Sequence, residues 1–189
     1  MKMREKLLNI LVFLCLPTLA ICKDFIKPSN PYTYTSVNYS ELISENFLLR
    51  NGHGEVVNHS ALKDKYVIVF FTAKWCGPCK MYGNFIKKFL DKHTDKLRVV
   101  MISLDRSDKD LKQYSSYYDN KFYYLDYSHR EMSEIWELTA KIKTRKKGSI
   151  PVIVMYNEQR ELIGFPRTHI QLDILSETRE VKKPFNPWN

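Results

Sequence analysis

The apolar run Tyr66-Val-Ile-Val-Phe-Phe-Thr72 leads within three residues to Trp75-Cys-Gly-Pro-Cys79, and an amphipathic stretch follows at once. Such an order delivers a buried strand into the first turn of a helix, with one cysteine at the helix start and the other a turn later. The first turn of a helix leaves backbone N–H groups unpaired and carries partial positive charge. Both stabilise a thiolate, which is the reactive form of cysteine. The spacing also lets the second sulfur reach the first and close a small disulfide. The chemistry expected of such a chain is thiol–disulfide exchange.

The remaining cysteines sharpen that expectation. Cys15 and Cys22 fall in or beside an N-terminal segment in which Lys2, Arg4 and Lys6 precede an apolar run, Leu7–Leu16, and then Pro17-Thr-Leu-Ala20. Those three regions are the pattern of a secretory signal peptide, expected over residues 1–22, and the apolar run is shorter than the ~20 residues of a membrane span. Thr18 and Ala20 offer small residues for cleavage. An extracytoplasmic destination is therefore expected, either secreted or an organelle lumen, with no stable span after cleavage. The folded part is left with Cys76 and Cys79 alone, and an exported domain with one tight pair and no other cysteine uses that pair for chemistry. The formal charge of +9 would fall by two on loss of Lys2, Arg4, Glu5 and Lys6, leaving a basic chain suited to acidic partners.

With 189 residues, 44% of them apolar and 27% charged, the chain suits one domain with appendages. Residues 23–44 read as a linker or arm containing Pro28 and Pro31, residues 45–178 as the domain, and 179–189 as a flexible tail. Asn38-Tyr-Ser40 and Asn58-His-Ser60 fit the acceptor pattern for N-glycosylation. Within the domain, Asn51-Gly-His-Gly54 reads as the turn of an N-terminal hairpin. Ser60–Lys63 is a short helical turn, and Leu97–Leu104 a second buried strand. From Cys79 to about Lys92, Tyr82, Phe85, Ile86, Phe89 and Leu90 fall on one helical stripe. Ser107-Asp-Lys-Asp110 and Ser128-His-Arg-Glu131 resemble capping boxes opening helices near 108–118 and 129–140. Pro151–Tyr156 and Glu161–Gly164 form a second hairpin, and Thr168 caps a last helix to about Thr178. The tyrosine- and phenylalanine-rich stretch between Tyr114 and Tyr127 is expected to pack over the sheet. This alternation predicts an α/β fold, a central mixed sheet flanked by helices with an N-terminal hairpin extension.

Trp75-Cys-Gly-Pro-Cys79 resembles the active-site motif of the thioredoxin superfamily. Ser149-Ile-Pro151 resembles that fold's loop with a cis-proline facing the cysteines. Met101-Ile-Ser-Leu-Asp-Arg-Ser-Asp-Lys-Asp-Leu111 and Tyr127-Ser-His-Arg-Glu-Met-Ser133 are similar to the tryparedoxin and nucleoredoxin branch. The resemblance covers roughly residues 45–178 and implies a thioredoxin-like fold with a redox-active Cys76–Cys79 disulfide. It makes Cys76 the attacking nucleophile and Cys79 the resolving thiol, with Trp75 shielding the site and Gly77 and Pro78 holding the turn. Ile150 and Pro151 would pair with an extended substrate segment. The Gly-Pro dipeptide goes with reducing members of the superfamily, so a disulfide reductase is expected ahead of an oxidase or isomerase. Many thioredoxins keep a buried acid in the strand before the motif; Phe70 stands there, the tryparedoxin-like branch also lacks an acid at that position, and the proton acceptor for Cys79 is unnamed.

Other chemistries fit less well. Zinc would require two ligands beyond the cysteines, and His53, His59, His93, His129 and His169 have no paired spacing. Lys80 stands where a haem-attachment motif has histidine, and the Pro-x-x-x-Thr-x-x-Cys arrangement of peroxidases is absent. No metal or organic cofactor is implied. Disulfide-bearing proteins or small thiols are the expected substrates, a partner reductase or thiol the electron donor, and nucleic acid is not an expected partner. A thioredoxin-fold interaction module in a larger assembly is the alternative from another class. The basic run Lys141-Ile-Lys-Thr-Arg-Lys-Lys147 is either a solvated loop or, leading into Ser149-Ile-Pro151, a positive rim of the site that acts with Lys74 and Lys80. Asp105-Arg106 is read as an ion pair at a strand end or simply a turn.

Overall fold

The computed structural model describes residues 34–166, apart from 94, 119–121 and 145. The expected signal peptide, most of the arm, the helix near 168–178 and the tail lie outside the described residues.

Two strands set the frame. β3 (Tyr66–Thr72) and β4 (Leu97–Ser103) carry apolar residues on both faces, so both faces require cover and the strands take the centre of a sheet. They run parallel, with Thr72 opposite Ser103. β6 (Val152–Tyr156) lies antiparallel along the other side of β3, with Phe71 opposite Val152. Outward from these come β5 (Phe122–Leu125), parallel to β4, then the hairpin β1 (Leu49–Arg50) and β2 (Val56–Val57). β7 (Leu162–Gly164) closes the opposite side. The order across the seven strands is β2-β1-β5-β4-β3-β6-β7. The outermost strands are stubs of two and three residues.

Both expected hairpin turns form, and each is held by an asparagine. Asn51 Oδ1 accepts from the N–H groups of His53 and Glu55, each at 3.0 Å. Asn157 Oδ1 accepts from Gln159 at 3.0 Å and Glu161 at 2.8 Å. Asn58, offered by sequence as a glycosylation acceptor, caps a 3-10 turn over His59–Leu62 by accepting from the Ser60 N–H at 2.8 Å.

After β3 the chain forms α2 (Gly77–His93), and α3 (Asp108–Ser116) follows β4. Ser107 caps α3 as expected, accepting from the Asp110 N–H at 3.1 Å. At Gly83, α2 meets Tyr118, two residues beyond the end of α3. A Cβ there would lie 2.0 Å from the Tyr118 hydroxyl. Tyr118 stacks on Phe122 at 4.4 Å and donates to the Tyr114 hydroxyl at 3.0 Å, which pairs with Thr72 Oγ1 at 3.1 Å. A buried hydroxyl chain thus runs from α3 to the end of β3. The buried stripe of α2 is Cys79, Gly83, Ile86, Phe89 and Leu90. Phe85, expected inside, is exposed because the glycine takes the inward position beside Tyr118.

Three further expectations are corrected. The Ser128–Glu131 box opens no helix: Asp126 captures the cap instead, accepting from the Ser128 N–H at 3.1 Å and hydroxyl at 2.7 Å, and a 3-10 turn over Tyr127–His129 results. α4 (Met132–Ile142) begins only after Glu131. Phe122, Tyr123 and Tyr124 do not merely pack over the sheet but form β5 within it. Finally, residues 35–43, assigned to a loose arm, belong to the core. Val37, Leu42 and Ile43 are buried, with a short helix α1 (Tyr39–Leu42) between them. Tyr156 donates its hydroxyl to Val37 O at 2.8 Å, and the Thr35 N–H bonds Ile142 O at 3.0 Å. Among the described residues, no helix is long and apolar enough to cross a membrane.

Candidate redox site at the end of the central strand

β3 ends between two neighbours, and the register fixes what flanks its exit. On one side Thr72 O accepts from the Leu104 N–H at 2.9 Å, placing Ser103-Leu104-Asp105 against the departing loop. On the other, Val152 pairs with Phe71, so Ile150 and Pro151 lie beside the same strand end. The Ile150–Pro151 bond is cis, as the resemblance implies. Both residues are half-buried.

The loop turns at Ala73, whose carbonyl accepts from the Cys76 N–H at 3.0 Å, and α2 starts at Gly77. Cys76 therefore occupies the capping position of a 17-residue helix. Its sulfur accepts from the Cys79 N–H at 3.2 Å, the bond a capping serine would make with the third residue of the helix. Pro78 has no N–H to offer and is preorganised for a first turn. Cys76 and Cys79 are joined as a disulfide with their sulfurs 2.05 Å apart. The two differ in access: Cys76 is 6% exposed and Cys79 fully buried. Gly77 and Pro78 are exposed, and Trp75 is 54% exposed, its indole N–H bonded to Leu104 O at 3.2 Å. Trp75, Cys76, Gly77, Pro78, Cys79, Ile150 and Pro151 are thus brought to one end of the sheet.

Asp105 is the residue that sequence reasoning misplaced. It forms neither an ion pair with Arg106 nor a simple turn. Its carboxylate is 1% exposed, accepting from the Lys74 N–H at 2.8 Å and from the Ser103 hydroxyl at 2.8 Å. Burial raises its pKa above the ordinary carboxylate value, against the lowering effect of those hydrogen bonds. Phe70, at the position where many thioredoxins carry an acid, is fully buried between Met101 and Ile153.

Part of the surrounding positive charge is engaged by oxygen partners. Lys74 is engaged, its ammonium bonding Asp110 at 2.8 Å and Gln113 at 2.6 Å, and the pKa of Asp110 falls through its bonds from Lys74 and Ser107. In the basic run, Lys141 pairs with Glu41 and Lys143 bonds Ser149 Oγ at 3.0 Å. Lys146 and Lys147 are exposed. Two histidines serve structure: His59 Nε2 meets Phe47 O at 2.6 Å, and His129 Nε2 accepts from the Leu48 N–H at 2.7 Å. Among the described residues no cluster of three or more His, Cys, Asp or Glu is placed to hold a metal.

Residues 43–163 match the AhpC/TSA family, which is more than half of the chain. A tryparedoxin from Trypanosoma brucei brucei is 31% identical over 114 residues, covering 59% of this chain and 72% of that protein. A thioredoxin from Alicyclobacillus acidocaldarius is 37% identical over 51 residues, which are 27% of this chain and about half of that protein's length, 49%. Among solved structures, the tryparedoxin from Trypanosoma brucei superposes with a TM-score of 0.55 at 23% identity, covering 79% of this chain and 96% of that one. That likeness is one of fold.

Proposed function

Because the chain belongs to the AhpC/TSA family of the thioredoxin superfamily, on the branch of the tryparedoxins and nucleoredoxins, we propose that it is a thiol–disulfide reductase working through Cys76 and Cys79 in an extracytoplasmic compartment. The observation that carries this reading is the helix cap: Cys76 sits at the mouth of α2 with its sulfur on the Cys79 N–H, and Cys79 lies buried behind it. In the reduced protein that N–H and the helix dipole favour the Cys76 thiolate. The thiolate attacks one sulfur of a substrate disulfide. The substrate S–S bond breaks, its other sulfur leaves as a thiolate and takes a proton, and a Cys76–substrate disulfide forms. Cys79, losing its proton, attacks Cys76 Sγ and releases the second substrate sulfur. The substrate gains two electrons and two protons, and the protein's dithiol becomes its disulfide. A dithiol reductase or small thiol then returns the electrons.

Ile150 and Pro151 would line the bound substrate segment, and Trp75 would cover one side of the attacking sulfur. The extracytoplasmic location rests on the pattern of residues 1–22. The test is equilibration of the Cys76–Cys79 pair against glutathione, combined with a Cys79→Ser trap. A reductase gives a potential near ~−270 mV and accumulates mixed disulfides through Cys76. A potential near ~−180 mV or higher would identify a disulfide donor or isomerase. Partner capture that survives loss of both cysteines would overturn the enzymatic reading in favour of an interaction module.

A further inference from the structure

A groove opens beside the site, between α4 and the loop that leads to the cis-proline. It is shallow and open, with a volume of about 380 Å³, and is lined by Trp136, Glu137, Ala140, Lys146, Lys147 and Gly148. Its floor is fixed by close backbone approach: a Cβ on Gly148 would lie 2.2 Å from Trp136 O and 2.3 Å from Thr139 Oγ1, so only glycine lets the loop press onto the helix there. The Trp136 ring is half-buried and stands 6.4 Å from the ring of Trp75, the exposed residue next to Cys76. Two indoles thus form a continuous apolar path from the attacking sulfur to the groove.

Charge at the far end of that path is unbalanced. Lys141, Lys143 and Lys74 each have an oxygen partner. Lys146 and Lys147 are exposed and form no ion pair with any described residue. Glu137 is the single acid on the lining. Two exposed lysines without an ion-pair partner among the described residues, lining the same groove as an indole, favour a chain that brings carboxylates and a flat or apolar stretch together.

We propose that this groove docks an extended acidic segment of a disulfide-bearing protein substrate, the carboxylates meeting Lys146 and Lys147 while the reacting cysteine lies over Cys76. The inference rests on the exchange reaction proposed above and names its substrate class. An extended chain advances about 3.3 Å per residue. The 6.4 Å between the two indoles alone spans about two residues, so the acids fall beyond the second position from the substrate cysteine. The lysines select the substrate and take no part in sulfur chemistry.

The experiment uses the full chain and three peptides that share one disulfide, with Asp/Glu, Gln/Asn or Lys three to five positions from the reacting cysteine. The wild-type protein should reduce the acidic peptide fastest and the basic one slowest, with kcat/KM for the acidic peptide falling as salt is added. In the double variant Lys146→Glu/Lys147→Glu the acidic-to-basic rate ratio should drop about tenfold or more and invert, and because it is a ratio it cancels any general loss of activity. A ratio unmoved by charge reversal would overturn the proposal. Wild-type inactivity toward hydroxyethyl disulfide would sink the exchange reaction instead. The groove is then read from binding of the acidic peptide with its cysteines replaced by serine: binding weakened by charge reversal supports it, and unchanged binding or none overturns it.

Discussion

Asp105 accepts the backbone N–H of Lys74 at 2.8 Å, so a buried carboxylate at the end of β4 holds the loop two residues ahead of Cys76. Removing it in Asp105→Ala leaves the Lys74 N–H and the Ser103 hydroxyl without their acceptor, at a cost of about 1–3 kcal/mol. Asp105→Asn keeps an oxygen for Lys74 and should recover part of that. Urea unfolding of the oxidised protein checks the stabilities. The order of the pH–rate profiles of disulfide exchange, with Asn nearer wild type than Ala, separates loop positioning from general destabilisation.

Gly83 and Tyr118 make the second prediction. An alanine at 83 would put its Cβ 2.0 Å from the Tyr118 hydroxyl and 2.7 Å from the ring carbon bearing it. The ring cannot yield freely, since it is fully buried and stacked on Phe122. Gly83→Ala should cost about 1–3 kcal/mol as an overpacked site. Adding Tyr118→Phe removes the closest atom but not the ring, so the double variant should recover only part of the loss in a thermodynamic cycle.

How far these features were legible in the sequence depends on how local their causes are. The apolar runs of β3, β4 and β6 and the Trp75–Cys79 motif announce themselves, because burial on both faces and the first turn of α2 are set by adjacent residues. β5 was not legible: its Phe-Tyr-Tyr-Leu becomes a strand by pairing with β1 and β4, far away in sequence. Asp105 was misplaced for the same reason, its partner Lys74 lying 31 residues earlier. At Ser128 two caps compete within three residues, and Asp126 wins because Arg50 also holds it in place. The inward position of Gly83 on α2 is the cost of admitting Tyr118, which no helical periodicity can foresee.

The Arg50–Asp126 ion pair gives an acid-sensitivity prediction. Burial pushes the Asp126 carboxyl upward, but bonds from Arg50 and Ser128 outweigh it and bring its pKa down to about 2. Stability from this group is fully present above the unfolded-state value near 4 and is lost as pH falls toward about 2. The wild-type protein should therefore lose about 1–2 kcal/mol through this group over that window, a loss that Asp126→Asn should not show. Chemical denaturation between pH 5 and 2 measures it. Asp105, with its raised pKa, acts in the opposite sense, its protonation favouring the folded state as pH falls.

The unequal access of the two sulfurs is checked by alkylation. After reduction, one equivalent of iodoacetamide should modify Cys76 rapidly and Cys79 only in denaturant, since the first reaches the surface and the second does not. Mass spectrometry of the peptides reports the order, and equal labelling of both under native conditions would contradict the burial.

The sheet ends on each side in strands of two and three residues, and Val56 on the outermost is widely exposed. Ladders that short offer few free N–H and C=O groups for another copy to extend. A second copy that tried to lengthen the sheet would thus find only a two- or three-residue rail at either edge of the described residues, too little to pass the pattern on from molecule to molecule.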